Sequence, residues 1–226
     1  MLSVINLSKS YGKKQILNEI ELHFNSGEIH GIVGENGAGK TTLFKCIAGL
    51  ESYEGNIQYE KRNIKNVVGF LETNPEFLSK ITGKEYLQLL CNARNIKNVD
   101  FKEKNIFELP LQQYAETYST GMKKKLAMTG VLLQNNDVFI LDEPFNGVDI
   151  QSNLIIKELL KLLKEKGKII ILSLHIFSTL QDTCDDLHYL MAGKIKKSVK
   201  NKDFKIIENL MKDVGLSEKI RKFNIK

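Results

Sequence analysis

Short apolar runs alternate with amphipathic segments along most of the chain. Residues 28–33, 138–141 and 168–172 are rich in Ile, Val and Leu, which is typical of central strands that are covered on both faces. Between the last two runs, residues 153–166 carry Leu and Ile at helical spacing, and Gly167 follows as a residue suited to end a helix. This alternation predicts an α/β fold with a mostly parallel sheet.

Further elements are predicted outside these runs. The first 25 residues and residues 55–59 have the pattern of additional strands, which we expect to form a side sheet. Residues 84–96 predict an amphipathic helix, and residues 100–109 predict another. From Ala192 onward the chain is rich in Lys and weakly patterned.

Length and composition indicate one ordinary domain, or one core with a small appended lobe. The chain has 226 residues, of which 42% are apolar and 27% charged, enough for a packed core. Lys and Arg exceed Asp and Glu by 33 − 27 = 6, but the only arginines are Arg62, Arg94 and Arg221. Because Arg is the residue that reads guanine edges, this surplus argues against a sequence-specific DNA reader, and no nucleic-acid partner is expected.

Several classes of protein are not expected from this sequence. No apolar run approaches the roughly 18–20 residues of a membrane-spanning helix, and the first residues lack the pattern of a secretory signal. Cys46, Cys91 and Cys184 are far apart and form no CxxC pair, so neither a disulfide framework nor a zinc site is expected from them. These observations favour a soluble protein of the reducing cytosol.

Residues 34–41, GENGAGKT, match the phosphate-binding pattern GxxxxGK[ST] and lie between a predicted strand and a predicted helix. Glycines let successive backbone N–H groups curl round phosphates, and the following helix directs its positive end at them. Lys40 is expected to reach the β- and γ-phosphates, and the hydroxyl of Thr41 to hold Mg²⁺. The predicted nucleotide contacts here are Gly34, Asn36, Gly37, Ala38, Gly39, Lys40, Thr41 and Thr42.

A second motif, VFILDEP at residues 138–144, is a predicted buried strand that ends in two carboxylates. Asp142 is placed to bind Mg²⁺, usually through water. Glu143 can take a proton from an attacking water as general base. Pro144 stops the strand at the carboxyl end of the sheet, where α/β folds bind ligands. The two motifs together predict an enzyme that hydrolyses a nucleoside triphosphate.

The sequence STGMK at residues 119–123 precedes a helix predicted over about 124–133. Ser119 is either an N-cap or part of a second anion-binding turn. With this segment the chain resembles the ATP-binding subunit of ABC transporters, whose signature LSGGQ occupies the same place before the Asp-Glu strand. Ser119 and Gly121, which approach the γ-phosphate in that family, are retained, whereas Thr120 departs from the first glycine.

The resemblance implies roles for four more residues. Tyr11 matches the aromatic residue that stacks on adenine, Asp149 matches the Asp that links the two nucleotide sites, and His175 matches the catalytic histidine that contacts the γ-phosphate. The family's Mg²⁺-sensing Gln is replaced here, because the loop at residues 69–75 reads GFLETNP. Glu72 is assigned to that position, with Thr73 as the alternative; a carboxylate can bind Mg²⁺ but cannot donate a hydrogen bond.

The resemblance covers about residues 2–195 and implies the architecture of a single ABC ATPase domain. That architecture is a P-loop NTPase core with a mostly parallel sheet, an antiparallel β side sheet and a small helical subdomain. The implied core is about residues 1–74 and 119–195, the helical subdomain about 75–118, and a basic tail about 196–226.

The resemblance also implies how the protein works. Two copies, or this chain and a similar ATPase chain, would dimerise head to tail around two ATP molecules with Mg²⁺. Transport would need a separate integral-membrane permease, which places the chain at the cytoplasmic face of the cell membrane. The compact cassette is similar to exporters that expel antibiotics, peptides or lipids.

Two alternatives to this interpretation have less support in the sequence. A soluble ABC-type ATPase acting on DNA or ribosomes is the first, but the interval 41–118 lacks the long heptad pattern of the repair members, and ribosome-associated relatives usually carry two cassettes. The second is a P-loop GTPase, which would need an Asn-Lys-x-Asp guanine reader that the sequence does not contain.

Overall fold

The computed structural model describes residues 1–60, 62–174 and 177–212. The strands are β1 (Leu2–Tyr11), β2 (Lys14–Phe24), β3 (Ile29–Val33), β4 (Glu54–Tyr59), β5 (Val68–Leu71), β6 (Val138–Asp142), β7 (Ile169–Ser173), β8 (Asp186–Met191) and β9 (Lys194–Lys200). The helices are α1 (Lys40–Ile47), α2 (Gly83–Ala93), α3 (Thr120–Leu133), α4 (Ile150–Glu165), α5 (Phe177–Thr183) and α6 (Phe204–Lys212). Within these ranges no helix is long and apolar enough to span a bilayer.

The larger sheet has six strands in the order β5-β6-β7-β3-β8-β9. All neighbours from β5 to β8 are parallel, and β9 runs antiparallel to β8 at the edge. Every residue of β3, β6 and β7 is buried, as their continuous apolar runs predict. The strand that precedes the glycine-rich loop is therefore central, and the predicted mostly parallel sheet is confirmed.

The three-stranded antiparallel sheet, ordered β2-β1-β4, covers one face of the larger sheet together with α1. The opposite face packs against α2, α3 and α4. Alternate residues of β6 serve the two cores: Val138 and Ile140 face the side sheet, and Phe139 and Leu141 face the helices. The predicted antiparallel side sheet is confirmed.

One prediction about secondary structure is wrong. Residues 100–109 form turns rather than a helix, because the Asp100 side chain accepts backbone hydrogen bonds from Lys102 and Glu103. The apolar residues of that segment, Phe101, Phe107 and Leu109, are buried from this loop, which explains the misleading pattern.

The segment after Ala192, for which the sequence predicted no element, contains β9 and α6 as far as residue 212. Strand β9 presents mostly exposed lysines to solvent while its backbone pairs with β8, and Lys-rich edge strands of this kind resist unwanted pairing. Helix α6 buries Phe204 and Ile207 in the core. Residues 213–226 of the predicted tail lie outside the described residues.

Candidate nucleotide site

The glycine-rich loop connects the end of β3 to the start of α1. Gly37 and Gly39 have φ of 81° and 109°, a left-handed conformation that side chains other than glycine adopt only with strain. A Cβ atom on Gly34 would lie 2.2 Å from the carbonyl oxygen of Leu190. The loop therefore turns tightly against the end of β8, and three of its glycines are required by backbone geometry.

Lys40 begins α1 with its side chain inside this loop. The residue is 7% exposed, and its Nζ donates to the carbonyl oxygens of Gly34, at 2.7 Å, and Glu35, at 3.1 Å. Burial lowers the pKa of Lys40, and the charges of Asp142 and Glu143 oppose that effect. The ammonium group is thus held on the concave side of a loop built to receive anions.

The remaining predicted loop residues differ in exposure. Asn36 is exposed and Thr42 half-buried. Ala38 is 8% exposed, and its N–H donates to the carbonyl of Glu35 at 3.1 Å. These contacts describe the loop itself, and their roles toward a nucleotide stay predictions.

Thr41 and Asp142 meet although 101 residues separate them along the chain. The Thr41 Oγ1 hydroxyl donates to Oδ2 of Asp142 at 2.6 Å, and the Ser173 hydroxyl donates to Oδ1. Asp142 is 1% exposed, whereas Thr41 faces solvent. A hydroxyl beside a carboxylate is the hard-oxygen donor set that Mg²⁺ prefers, so these residues fit the predicted metal site.

Glu143 follows at the end of β6 and is held by several groups. Its backbone has φ of 53°, a strained conformation for a residue with a side chain. Its N–H donates to Ser173 Oγ at 3.1 Å, its carbonyl accepts from Lys124 Nζ at 2.8 Å, and its Oε2 accepts from Asn146 Nδ2 at 3.0 Å. Asn146 therefore contacts the carboxylate itself, while Ser173 and Lys124 hold the backbone of Glu143.

The signature segment starts α3 with Ser119 as its N-cap. The Ser119 Oγ accepts from the N–H of Met122 at 3.3 Å, so the capping interpretation is confirmed as local structure. A Cβ on Gly121 would lie 2.6 Å from the carbonyl oxygen of Gly147. The start of α3 thus packs directly against the loop that precedes α4.

Asp149 in that loop is the N-cap of α4. Its carboxylate accepts from the N–H of Ser152 at 2.9 Å and from Lys125 Nζ at 3.1 Å. Hydrogen bonds from the backbone and side chain of Ser152, followed by that from Lys125, hold the pKa of Asp149 well below its usual range. Asp149 is therefore ionised at neutral pH and tied to α3.

Two other predicted residues lie outside this cluster of contacts. Tyr11 is 47% exposed at the end of β1, with Lys9 Nζ 4.7 Å from its ring centroid. Glu72 pairs with Lys45 at 3.2 Å, one helical turn beyond Thr41 on α1. His175 lies outside the described residues.

Two residues that hold the site together, Ser173 and Lys124, have little signal in the sequence. Ser173 bridges Asp142 and Glu143, and the only signal for it was a hydroxyl in an otherwise apolar strand. Lys124 is 2% exposed, with a pKa lowered by burial and raised less by Glu143 and Asp142. Nothing in a run of three lysines at residues 123–125 distinguishes the buried one.

A glycine loop with a buried lysine, followed by a helix whose Thr meets an Asp on a parallel strand, defines a P-loop nucleoside triphosphatase. The family model described as "ABC transporter" matches residues 17–146. The chain is 30% identical over 223 residues to the lantibiotic transport ATP-binding protein SrtF of Streptococcus pyogenes, covering 93% of this chain and 94% of that protein.

Two further comparisons agree with this match. The chain is 33% identical over 207 residues to the bacitracin transport ATP-binding protein BcrA of Enterococcus faecalis, covering 86% of this chain and 67% of that protein. A solved structure titled "Structure of ATP binding subunit of ABC transporter" superposes with a TM-score of 0.81 at 26% identity, covering 93% of this chain and 94% of that one. The chain belongs to the ABC transporter family, as an ATP-hydrolysing subunit.

Proposed function

We propose that this chain hydrolyses ATP with Mg²⁺ at the loop of residues 34–41 and thereby drives export through a separate membrane permease. The observation that carries the proposal is the hydrogen bond from Thr41 to Asp142, with Glu143 next along the chain. It joins the phosphate-binding helix to the two carboxylates that hydrolysis requires.

Binding relies on groups that already face the loop. The γ-phosphate oxygens take the place of the Gly34 and Glu35 carbonyls as acceptors for Lys40, because charged acceptors form stronger hydrogen bonds. Thr41 and Asp142 hold Mg²⁺, which neutralises phosphate charge when bound. Tyr11 stacks on adenine, and its exposed ring is available for that contact.

Hydrolysis then depends on Glu143. The Glu143 carboxylate takes a proton from water as the water oxygen bonds to the γ-phosphorus and the bond to the β–γ bridging oxygen breaks. The products are ADP and inorganic phosphate. Asn146 orients that carboxylate before the reaction, and Ser173 and Lys124 hold the Glu143 backbone. His175 contacts the γ-phosphate.

The assembly is a head-to-tail homodimer, or a heterodimer with a similar ATPase chain. Ser119 and Gly121 of one copy cover the ATP held by the other, and Asp149 links the two sites. The packing of Gly121 on Gly147 supports the role of Asp149, which lies in the same loop as Gly147. Because the two segments are in contact, a shift of the signature would move the loop before α4. Glu72 senses the metal and the permease contact.

Export is favoured because two relatives are named for transport of lantibiotics and bacitracin. The permease docks near Glu72 and α2, which places the chain at the inner face of the cell membrane as a peripheral subunit. The helical subdomain of about residues 75–118 forms that contact.

The test is affinity purification of tagged Glu143→Gln from its native cells in detergent with ATP and Mg²⁺. Stoichiometric recovery of a polytopic membrane protein supports the proposal, and its loss from a Lys40→Ala, Glu143→Gln double variant ties capture to bound nucleotide. Recovery of ribosomes or DNA without a membrane protein would overturn the transport role and leave the ATPase chemistry intact.

A further inference from the structure

A buried cluster of two histidines and one aspartate lies in β3 and β8, away from the glycine-rich loop. His30, Asp186 and His188 are 0%, 6% and 6% exposed. His30 and Asp186 are register partners near the amino ends of the two strands, and His188 follows two residues further along β8. Because side chains two residues apart share one face of a strand, all three meet on one side of the sheet.

Two ring nitrogens converge on one carboxylate oxygen. His30 Nδ1 lies 2.8 Å, and His188 Nε2 3.3 Å, from Oδ1 of Asp186. The possible ligand atoms of the three residues lie within 4.8 Å of one another. Imidazole nitrogens at this separation from a carboxylate oxygen can share one small divalent ion with ligand bonds of about 2.0–2.2 Å.

The far nitrogen of each ring is held from outside the cluster. His30 Nε2 lies 3.2 Å from the carbonyl oxygen of Asn25, and His188 Nδ1 lies 2.8 Å from Ser198 Oγ. A carbonyl can only accept, so Nε2 of His30 faces Asn25 as a donor, and Nδ1 is hydrogen-bonded to Oδ1 of Asp186. A metal ion bound here would replace the proton between Nδ1 and Oδ1. Metal-ligating histidines use this same arrangement, with the outer N–H donated to a backbone carbonyl or similar group.

The inner nitrogen of His188 gives an independent indication. His188 Nε2 is buried and makes no hydrogen bond, because its approach to Asp186 does not have hydrogen-bond geometry. A buried polar atom without a partner costs free energy unless something satisfies it. This atom lies 3.3 Å from Oδ1 of Asp186, and a cation bound to both atoms would satisfy it.

The surroundings suit a bound ion rather than a catalytic centre. Phe24 packs edge-on against both rings, with centroids 5.1 Å from His30 and 5.7 Å from His188. Lys200 Nζ lies 3.3 Å from Oδ2 of Asp186 and is 56% exposed, so its flexible side chain leaves Oδ1 to the two rings. The site is closed on the side of Phe24 and charged on the other.

We infer that His30, Asp186 and His188 form a structural site for Zn²⁺. Two imidazoles and one carboxylate are ligands that Zn²⁺ binds in proteins, with water completing the coordination. The ion would link the amino ends of β3 and β8. At their other ends, β3 leads into the glycine-rich loop and β8 contributes Leu190, which contacts that loop. The inference does not depend on the proposed function, since neither strand end near the cluster contributes to the nucleotide site.

The test uses Co²⁺ as a spectroscopic probe for Zn²⁺ on chelator-stripped, full-length protein in excess Mg²⁺, which occupies oxygen-ligand sites. We expect one Co²⁺ per chain with visible d–d bands of low coordination number, abolished by stoichiometric Zn²⁺. His188→Gln and Asp186→Asn are expected to weaken Co²⁺ binding at least tenfold. His23→Gln, which removes an exposed histidine outside the cluster, retains it.

A second measurement covers the case in which both variants fail to fold. In the wild-type chain, nitrogen-detected NMR of the imidazole rings should report Zn²⁺-dependent shifts at His30 Nδ1 and His188 Nε2, with protons on the two outer nitrogens. Absence of Co²⁺ uptake by the wild-type chain, or Zn²⁺ shifts confined to other histidines, would overturn the inference.

Discussion

Carboxylates lie at both ends of the strands in the large sheet, which we call its carboxyl edge and its amino edge. The groups that surround these carboxylates differ between the two edges. At the carboxyl edge, Asp142 is buried between two hydroxyl donors, and Glu143 is oriented by polar side chains. At the amino edge, Asp137 pairs with Lys168 at 2.9 Å and with Arg62, and Asp185 pairs with Lys164 at 2.6 Å.

This difference indicates that the carboxyl edge of the sheet serves ligand binding and that the amino edge serves the stability of the fold. Hydroxyl groups leave the Asp142 charge available to a metal ion, whereas lysine ammonium groups neutralise Asp137 and Asp185 within the chain. The short loops after parallel strands form the ligand-binding edge in α/β folds generally. Substitutions at the carboxyl edge should therefore reduce turnover, and substitutions at the amino edge should reduce stability.

Glu143→Gln gives the largest expected effect. The amide cannot take a proton from water, so the rate of phosphate release should fall at least about 100-fold while ATP binding is retained. Steady-state ATPase assays and nucleotide titration measure the two quantities. Glu76→Gln, an exposed substitution in a loop, is the control. A Glu143→Gln rate equal to wild type would remove Glu143 from the role of general base.

Gly34→Ala and Gly27→Ala compare the two edges directly. A Cβ added at Gly34 would meet the Leu190 carbonyl at 2.2 Å, so we expect a loss of about 1–3 kcal/mol in unfolding free energy and at least tenfold weaker ATP binding. Gly27 has φ of 72°, and a Cβ there would meet nothing closer than 3.5 Å, so its substitution should cost about 1 kcal/mol by strain alone. Urea unfolding and nucleotide titration separate the variants. Equal ATP affinity in both would contradict the steric account of Gly34.

Lys124→Met tests whether the buried lysine positions Glu143. Removing its hydrogen bond to the Glu143 carbonyl should lower kcat about tenfold, equivalent to about 1.4 kcal/mol, without changing ATP affinity. Lys166→Met, which changes an exposed lysine at the C-cap of α4, is the control. If both variants hydrolyse ATP equally fast, Lys124 has a packing role only.

Asp137→Asn has the smallest expected effect and should act on stability alone. Burial raises the pKa of Asp137, but hydrogen bonds from Lys168 and Arg62 outweigh it and leave that pKa below its usual value. The ion pairs therefore stabilise the fold above the unfolded pKa, near 3.8, and are lost as the pH falls through the folded one. Because the pairs are partly exposed, the loss at pH 7 should be about 0.5–1 kcal/mol.

Urea unfolding at about pH 7 and near pH 3 checks this, with Glu76→Gln as control. The difference between wild type and Asp137→Asn should shrink at the lower pH. A difference that stays constant would assign the effect to packing rather than to charge.

The predicted elements were accurate where one local rule decided the structure. The apolar runs of β6 and β7 predicted strands covered on both faces, which they are, and Gly167 follows α4 with the expected positive φ of 71°. The prediction was wrong at residues 100–109, where the Asp100 side chain accepts a backbone hydrogen bond within a turn. Phe101 is buried from this turn, so its apolar position fitted the spacing of a helix although no helix forms. Apolar spacing records burial, and burial does not require a helix.

Local sequence was sufficient to predict the glycine-rich loop, because all of its parts are contiguous and their backbone conformations are local. It likewise placed Asp142 and Glu143 at the end of a buried strand. The folded chain was needed to show that Thr41 meets Asp142, that Ser173 and Lys124 hold Glu143, and that His30 joins Asp186 and His188. These contacts span from 19 to 156 residues of the chain. They depend on the order and register of β6, β7, β3 and β8, which distant segments set by packing together rather than by any local pattern.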